Sequence, residues 1–231
     1  MTAQKEPTSP TPRIEEYLES IVNMISEGKP VHAARLAESL GLTPATVSAT
    51  LQRMTRDGLI TVGADKDISL TVLGRRKALT VLRRHRLAEK LLFDMLAVEW
   101  HEVHEEACLL EHAISARVEE RLVRALENPA YCPHGNPIPD GDSLPAPRGK
   151  PLSSFQPGTR VVVVRITEDA TRDSRLMKYL HSMGVVPGAV FEVKQSAPYA
   201  GTLAVDFGGR EVTLGLNAAD QVWVLPEPHR Q

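Results

Sequence analysis

Apolar residues recur every three or four positions in the first quarter of the chain and predict three short helices. The first helix covers Arg13–Ser26, the second His32–Leu40, and the third begins at Thr43-Pro44. Threonine is a good N-cap, and proline suits the first helical position because its missing N–H has no partner there. The third helix is expected to end at Asp57-Gly58.

Two short strands follow these helices, over Leu59–Val62 and Ile68–Leu70, and a polar turn over Gly63–Asp67 joins them. Three helices followed by a hairpin is the order of a winged helix-turn-helix domain, which we predict over residues 13–72. Residues 1–12 are polar and contain three prolines, so we expect them to be a disordered lead-in.

The rest of the chain divides into a helical region, a proline-rich region and a β region. Helical patterns run over Val72–Leu96, His101–Ala113 and Ser115–Leu126, and predict a helical domain over 73–132. Six prolines between Pro133 and Pro151 predict a linker over 133–154, or an extended crossing segment in its place. Over 155–231, five strands interrupted by a helix at about Arg172–Met183 predict a small SH3-like barrel; the strands are Thr159–Thr167, Val190–Gln195, Leu203–Phe207, Glu211–Leu216 and Gln221–Leu225. The predicted fold class is therefore mainly α with a small β domain.

Composition narrows the class of protein. The chain is 42% hydrophobic and 24% charged, as in ordinary globular proteins, and has no apolar run of about 18 residues that could span a membrane. Its two cysteines are too few for a disulfide framework and fit a reducing cytoplasm. Net charge is −2, but Arg13–Lys90 has 13 Lys and Arg against 9 Asp and Glu, whereas Leu91–Pro133 has 3 against 9. A basic first part suits nucleic acid, and an acidic segment suits cations.

Ligand-type side chains lie on one face of a predicted helix in the acidic segment. His104, Cys108, Glu111 and His112 fall at about 0°, 40°, −20° and 80° around a regular α-helix. Burying a thiol, a carboxylate and two imidazoles together is costly unless a cation offsets the loss of water. The spacing therefore favours a metal site.

Two further pairs on other helices could supply ligands. His85 and Glu89 are four residues apart on the long helix, and Glu16 and Glu19 are three apart on the first helix. Three helices with ligand pairs are enough for two separate sites. Alternatively, each pair is part of a solvated surface and binds no metal. His85 lies in a run of arginines that is typical of such a surface.

A metallohydrolase is the alternative from another functional class. Cys108-Leu109-Leu110-Glu111-His112 resembles the zinc-protease motif H-x-x-E-H with its first histidine replaced by cysteine. His101-Glu102-Val103-His104 is one residue too short for H-E-x-x-H, and neither a serine elbow nor a phosphate-binding glycine loop is present in the sequence. We therefore expect a protein that is not an enzyme.

The third helix is the candidate recognition helix. Its early residues carry methyl and hydroxyl groups, which favour contacts with thymine methyls and short polar contacts over strong bidentate base contacts. The candidates for bases are Thr43, Ala45, Thr46, Ser48, Gln52 and Arg53; those for phosphate are Arg35, Arg53, Arg56 and Lys66 in the wing. A winged helix used for protein contacts is the alternative.

From Ile14 to Leu225 the chain resembles the diphtheria-toxin-repressor-like family of iron- and manganese-dependent transcriptional regulators. The resemblance rests on short segments shared with that family: Thr46-Val47-Ser48, Arg53-Met54, Arg56–Leu59, His85–Glu89, Val103–Cys108, Glu111-His112 and His134–Pro139. It implies three domains in the order found above, the last of them FeoA-like. It also implies a homodimer that binds palindromic double-stranded operator DNA, with one or two dimers per operator, represses transcription when metal is bound, and controls metal-ion homeostasis genes.

The resemblance implies two metal sites per subunit. The primary site would use Glu16, Cys108, Glu111 and His112, with Glu19 close by. The ancillary site would use His85, Glu89 and His104, with Glu168 contributed by the barrel. Thr171 stands where the family has a glutamine ligand, which weakens the contribution of the barrel.

The sequence departs from the iron-type members in ways that bear on metal choice. Glu16 replaces a methionine, and a hard carboxylate in place of a soft thioether favours Mn²⁺, whereas Cys108 keeps Fe²⁺ competitive. We expect Mn²⁺ to be preferred, with Fe²⁺ as the alternative. Ala49 replaces a glutamine on the recognition helix, so the operator sequence need not be that of the prototype. The dimer surface is expected to use Leu91, Leu92, Met95, Leu96, Leu109 and Leu110, unless these form core within one chain.

Overall fold

The computed structural model describes residues 11–227, so the predicted disorder of the lead-in falls mostly outside the described residues. Pro12 is the exception, because it is the first residue of helix α1, Pro12–Ser26. The chain forms two compact units. The first ends at Arg84 and includes Pro139–Leu144; the second contains His85–Ile138 and continues from Pro145. In the part of the chain described, no helix has the length and apolar character needed to cross a membrane.

The first unit has the predicted order of three helices and a hairpin. After α1 come α2, Ala33–Ser39, and α3, Pro44–Arg56, then strands β1, Ile60–Val62, and β2, Ile68–Leu70. The two strands are antiparallel, with Ile60 opposite Leu70. One buried apolar cluster, which includes residues of all three helices and both strands, forms the core of this unit.

Helix α3 starts as its sequence predicts. The Thr43 side chain accepts a hydrogen bond from Thr46 N–H at 3.3 Å, and Pro44 occupies the first turn. Val47, Leu51 and Met54 face the core, so the other faces of α3 are left for solvent or a partner. This orientation positions the candidate recognition residues.

Four helical segments lead from the first unit into the second. Helix α4 covers Val72–Asp94, α5 Val103–Leu110 and α6 Ala116–Ala125, and a 3₁₀-helix over Glu111–Ala113 follows α5 directly. The prediction of one helix over His101–Ala113 is therefore wrong at both ends. Residues 99–102 form a turn closed by Glu102 N–H to Glu99 O, and the helical hydrogen bonding tightens at Glu111. A 3₁₀-helix turns more per residue than an α-helix, so the angles predicted for Glu111 and His112 do not hold.

The second unit also contains the β barrel. Its strands form an antiparallel sheet in the order β3-β8-β4-β5-β6-β7. The strand bounds are Lys150–Pro151 for β3, Arg160–Ile166 for β4, Val190–Ala197 for β5, Thr202–Asp206 for β6, Glu211–Gly215 for β7 and Val222–Pro226 for β8. The predicted helix at about Arg172–Met183 corresponds to α8, Ser174–Met183, which the Asp173 side chain caps, and a short helix α7, Glu168–Thr171, precedes it. A short helix α9, Leu216–Gln221, precedes β8.

Residues 133–154 do not form one linker. His134, Asn136 and Ile138 are buried in the second unit, whereas Pro139–Leu144 belongs to the first unit, where Asp140 and Asp142 each lie 3.5 Å from an arginine of α4. Lys150–Pro151 is already a strand of the barrel. The alternative of an extended crossing segment therefore describes these residues better, with burial at 134 and 136–139 and mostly exposed residues over 140–150.

Candidate metal centre and nucleic-acid interface

Four ligand-type side chains of the second unit converge in its interior. His85 and Glu89 lie one turn apart on α4, His104 is in the first turn of α5, and Glu168 begins α7 beside the barrel. All four are buried, and one ligand atom of each lies within 4.8 Å of those of the others. They are the four residues assigned to the ancillary site in the sequence analysis.

The distances among these atoms suit a small divalent cation. His85 Nε2 lies 3.1 Å from His104 Nδ1, 3.2 Å from Glu89 Oε1 and 3.5 Å from Glu168 Oε1. His104 Nδ1 lies 3.5 Å from Glu89 Oε1 and 3.8 Å from Glu168 Oε1. Four ligands at about 2.1 Å from a tetrahedral ion are roughly 3.4 Å apart. Glu168 Oε1 is buried with no hydrogen-bond partner among the described residues, so these residues fit a bound metal.

Neighbouring groups orient the four ligands. Glu111 Oε2 lies 2.6 Å from His85 Nδ1, which leaves Nε2 to face the cluster. Arg86 Nη2 donates to Glu168 Oε2 at 3.0 Å, which leaves Oε1 to face the cluster. A metal-binding histidine commonly donates its second N–H to a carboxylate, and such partners fix the ring orientation.

The electrostatics of the cluster favour ionised carboxylates. Burial raises the pKa of the Glu168 carboxyl, but the Arg86 guanidinium outweighs this effect and the pKa falls to about 2. Burial also raises the pKa of the Glu89 carboxyl. The positive charges of His134 and His85 outweigh this effect, so the pKa of Glu89 lies well below its usual value. Both carboxylates are therefore ready to bind a cation without losing a proton.

Cys108 lies beside this cluster, next to His104. Its Sγ lies 3.7 Å from His104 Nε2, and it groups with the nitrogens of His85 and His104. Burial raises the pKa of the Cys108 thiol, but hydrogen bonding to the histidines outweighs it and lowers the pKa to about 7. For His104 the directions are reversed, because burial lowers the pKa of an imidazole. Its hydrogen bonds to Cys108 and Glu89 outweigh this effect and raise the pKa of His104 to about 9.

The proposed primary-site residues of the second unit are not gathered into one group. His112 Nε2 lies 3.3 Å from Glu111 Oε1, but within residues 11–227 His112 joins no set of three or more convergent ligand atoms. Cys108 faces His104 instead. Glu16 and Glu19 lie on α1 in the first unit, Glu16 exposed and Glu19 buried.

Thr171 is buried beside the cluster but does not replace the missing glutamine. Its hydroxyl donates to the backbone oxygen of Glu168 at 2.8 Å, which is a contact within helix α7. The barrel thus contributes the Glu168 carboxylate, and Thr171 stabilises the helix that carries it.

Sequence reasoning missed His134, which is fully buried next to Glu89. Its Nδ1 lies 3.0 Å from Glu89 Oε1, and its Nε2 lies 3.1 Å from Trp100 O. The sequence signal that could have identified His134 was the presence of a ligand-type residue inside the proline-rich segment. The next residue, Gly135, has φ +82°, and a Cβ there would lie 2.0 Å from Val164 O, so glycine is required to hold the segment.

The candidate DNA-binding residues lie on the surface of the first unit. Thr43, Ala45, Ser48, Gln52, Arg53, Arg56, Arg35 and Lys66 are exposed, and Thr46 is partly exposed. A pocket of about 410 Å³ between α2, α3 and the wing is lined by Ser48, Gln52 and Lys66 among others. The middle of α3 and the wing therefore border one concave surface.

Two of the candidate phosphate ligands are tied to an acidic neighbour. Arg53 Nε lies 3.6 Å and Arg56 Nε 3.1 Å from the Asp57 carboxylate. Both pairs are exposed, so their attraction is weak and a phosphate can compete for either arginine.

Family models match the chain in three consecutive stretches. They are "Iron dependent repressor, N-terminal DNA binding domain" over residues 10–68, "Iron dependent repressor, metal binding and dimerisation domain" over 71–140, and "FeoA domain" over 150–226. This order agrees with the predicted fold class. The residues of the convergent cluster lie in the second and third stretches.

Individual relatives agree with these models. The iron-dependent repressor IdeR of Mycobacterium tuberculosis is 41% identical over 220 residues, which cover 91% of this chain and 95% of the relative. The diphtheria toxin repressor of Corynebacterium diphtheriae is 43% identical over 148 residues, 64% of each chain. A solved structure of a manganese-dependent transcriptional repressor in complex with manganese matches with a TM-score of 0.82 and 33% identity, covering 93% of this chain and 100% of the other.

These matches give no support to the metallohydrolase alternative, since the models and relatives named above are repressors. They agree with the convergent buried donors and with the exposed recognition helix. The chain belongs to the iron-dependent repressor family that includes the diphtheria toxin repressor, and it is a metal-dependent, DNA-binding transcriptional repressor rather than an enzyme.

Proposed function

We propose that this repressor prefers Mn²⁺, with Fe²⁺ as its competitor, and binds palindromic operators as a metal-loaded homodimer in the cytoplasm. Its targets are then genes of metal-ion homeostasis. The observation that carries the proposal is the buried group of His85, Glu89, His104 and Glu168, whose ligand atoms are 3.1 to 3.8 Å apart in the pairs measured above.

The donor types support the choice of metal. Two carboxylate oxygens and two imidazole nitrogens suit Mn²⁺ and Fe²⁺ better than they suit a thiolate-preferring ion. Glu16 adds a hard donor in the set that the family resemblance assigns to the primary site, whereas Cys108 is a soft one. When bound, the ion supplies the positive charge that offsets burial of the carboxylates.

A second site in each subunit is part of the proposal. The resemblance assigns Glu16, Cys108, Glu111 and His112 to it, with Glu19 nearby. In support, the Glu111 and His112 side chains are already 3.3 Å apart, and the low pKa of Cys108, about 7, makes its thiolate available at neutral pH.

The apolar side chains left exposed by the second unit suit dimerisation. Met95, Leu96 and Leu109 are 57%, 60% and 76% exposed, which is high for large apolar residues. Leu92 is buried, and Leu110 packs against the same core cluster, so these two belong to the chain's own core. In a dimer, the two α3 helices must lie about 34 Å apart, or a multiple of it, to enter successive major grooves of an operator.

An anaerobic titration tests this proposal. Binding of fluorescent DNA from the promoter of the protein's own or a neighbouring gene is followed by anisotropy while Mn²⁺ or Fe²⁺ is added. We expect half-maximal binding at a lower free concentration of Mn²⁺ than of Fe²⁺. Tighter activation by Fe²⁺ would refute the metal preference, and binding unaffected by chelators would refute the metal dependence.

A further inference from the structure

A second group of ligand-type side chains lies in the same unit, away from the centre described above. Glu99, His101 and His181 each offer a ligand atom within 4.8 Å of those of the other two. None of them belongs to the ancillary or primary set. We propose that these three residues form a third, surface-accessible site for a divalent cation such as Zn²⁺.

The local structure holds two of the ligands on one short turn. Glu102 N–H donates to Glu99 O at 2.8 Å, which closes the turn that carries Glu99 and His101 between α4 and α5. Trp100, between them, is buried and donates through Nε1 to Pro133 O at 3.1 Å. The buried indole anchors the turn, so the backbone that carries the ligands on either side of Trp100 is held in place.

The third ligand comes from the barrel. His181 lies in the last turn of α8, which ends at Gly184 with φ +76°. Its ring centroid lies 5.7 Å from that of Trp100 and 5.7 Å from that of His101. These ring contacts hold the two imidazoles close together, which shortens the movement needed to share an ion.

His101 has one nitrogen available for a ligand. Its Nε2 lies 3.8 Å from Glu102 Oε1, whereas its Nδ1 is buried and has no hydrogen-bond partner within residues 11–227. A carboxylate near one imidazole nitrogen and a metal at the other is the common arrangement of a metal-binding histidine. A bound ion would therefore satisfy the unpaired nitrogen.

The surroundings leave room for further ligands. A pocket of about 400 Å³ adjoins the group and is lined by Glu99, Trp100 and His181, with Phe93, Val98 and Val186. Two imidazoles and one carboxylate leave coordination positions open, so water or a small anion completes the shell. By the general order of divalent affinities, this set of two nitrogens and one carboxylate binds Zn²⁺ more tightly than Mn²⁺, which is why Zn²⁺ is the ion proposed here.

The site would link two elements within the second unit, namely the turn before α5 and helix α8. A bound ion would restrain the barrel helix against this turn, with no change at α3. We therefore expect an effect on Zn²⁺ stoichiometry and on local stability, separate from metal-dependent repression.

The test compares two substitutions of one ligand in the full chain. His181→Phe keeps an aromatic ring but removes the ligand, whereas His181→Asp removes the ring but keeps a ligand. His32→Phe, on a histidine of the first unit that lies 3.2 Å from Asp67, is the matched control. Zn²⁺ bound per subunit is measured by equilibrium dialysis against buffered micromolar Zn²⁺, with hydrogen exchange of residues 97–102 and 174–183 measured in the same samples.

We expect His181→Phe to bind one equivalent of Zn²⁺ fewer than the wild type and to lose the Zn²⁺-dependent protection of both segments. His181→Asp and the His32→Phe control should keep the equivalent. Equal stoichiometry in the wild type and His181→Phe would overturn the proposal, and a loss of the equivalent in His181→Asp alone would show that the ring has only a packing role. Metal-dependent operator binding should persist in all three variants.

Discussion

At the scale of single residues, the His85 ring contacts a carboxylate through one nitrogen and the ligand cluster through the other. Its Nδ1 contacts Glu111, and its Nε2 faces Glu89, His104 and Glu168. The ring is fully buried, and its orientation is fixed from both sides. Loss of His85 therefore removes a ligand and also releases the Glu111 carboxylate.

Metal affinity should respond differently to His85 and Glu168. We expect His85→Ala to abolish Mn²⁺ binding at the ancillary site, and Glu168→Gln to weaken it by roughly tenfold to a hundredfold, because glutamine keeps the shape and one oxygen ligand. Isothermal titration of the full chain with Mn²⁺ measures both. An equal loss in Glu168→Gln would show that the barrel carboxylate matters as much as the α4 histidine.

Metal binding should depend on pH through His104. With its pKa raised to about 9, His104 is protonated at pH 7 in the absence of metal, and a bound ion requires the neutral ring. The affinity for Mn²⁺ should therefore rise with pH by up to about tenfold per unit for the proton released, and level off above pH 9. Isothermal titration of the protein with Mn²⁺, in buffers of different ionisation enthalpy, measures the number of protons released when the metal binds.

Cys108→Ser is the matched variant for this pH dependence. The hydrogen bond from Cys108 is the largest contribution that raises the pKa of His104, so its loss should lower that pKa. The pH at which the affinity for Mn²⁺ levels off should then move down. An unchanged pH profile would exclude the Cys108–His104 pair as its source.

At the scale of elements, helix α3 combines a capped start with an arginine-rich end. Thr43 caps the first turn, and Arg53 and Arg56 in the last two turns share the Asp57 carboxylate. The cap and the buried face fix the helix, while the exposed arginines must exchange Asp57 for phosphate when DNA binds. Asp57 therefore competes with the nucleic acid.

Removing Asp57 should strengthen DNA binding in a salt-dependent manner. For Asp57→Ala we expect several-fold tighter binding at low salt and a slope of log K against log salt that is steeper by about 1 to 2, because two arginines are freed for phosphate. Glu38→Ala, an exposed change of the same charge on α2, is the control. Equal effects of the two substitutions would indicate net charge alone.

At the scale of the whole molecule, the repressor separates its tasks between two units. The unit that contains α1–α3 carries the candidate DNA contacts, and the unit that begins at His85 carries the buried cluster of candidate metal ligands and the barrel. The basic charge of Arg13–Lys90 and the acidic charge of Leu91–Pro133 follow this division closely. Charge distribution along the chain was thus a better guide than its net charge of −2.

Glu16 tests whether metal and DNA binding are coupled as proposed. We expect Glu16→Ala to abolish metal-stimulated operator binding, since the resemblance makes Glu16 the ligand on the DNA-binding side, while the dimer and its thermal stability in the absence of metal stay unchanged. Anisotropy with and without Mn²⁺, together with light scattering, measures these quantities. Metal-stimulated affinity equal to that of the wild type would remove Glu16 from the mechanism.

Local signals were sufficient for most elements. Thr43-Pro44 marked the start of α3, and alternating apolar residues marked β1, β2 and most strands of the barrel, because caps and periodicity act over a few neighbouring residues. The helix over His101–Ala113 was wrong since a turn at Glu99–Glu102 and a 3₁₀ segment depend on how the helix ends pack. The sequence left open whether residues 133–154 are a linker or an extended crossing segment, since burial of His134 depends on distant residues.

The sequence by itself determined the winged-helix order, the barrel and the four residues of the ancillary cluster, because spacing on helices and a family resemblance need only local residues. Tertiary structure alone decided that Arg86 orients Glu168 and that His134 supports Glu89. It also brought Glu99 and His101 to His181, some eighty positions further along the chain. These contacts join residues far apart in sequence, and no local periodicity encodes such distances.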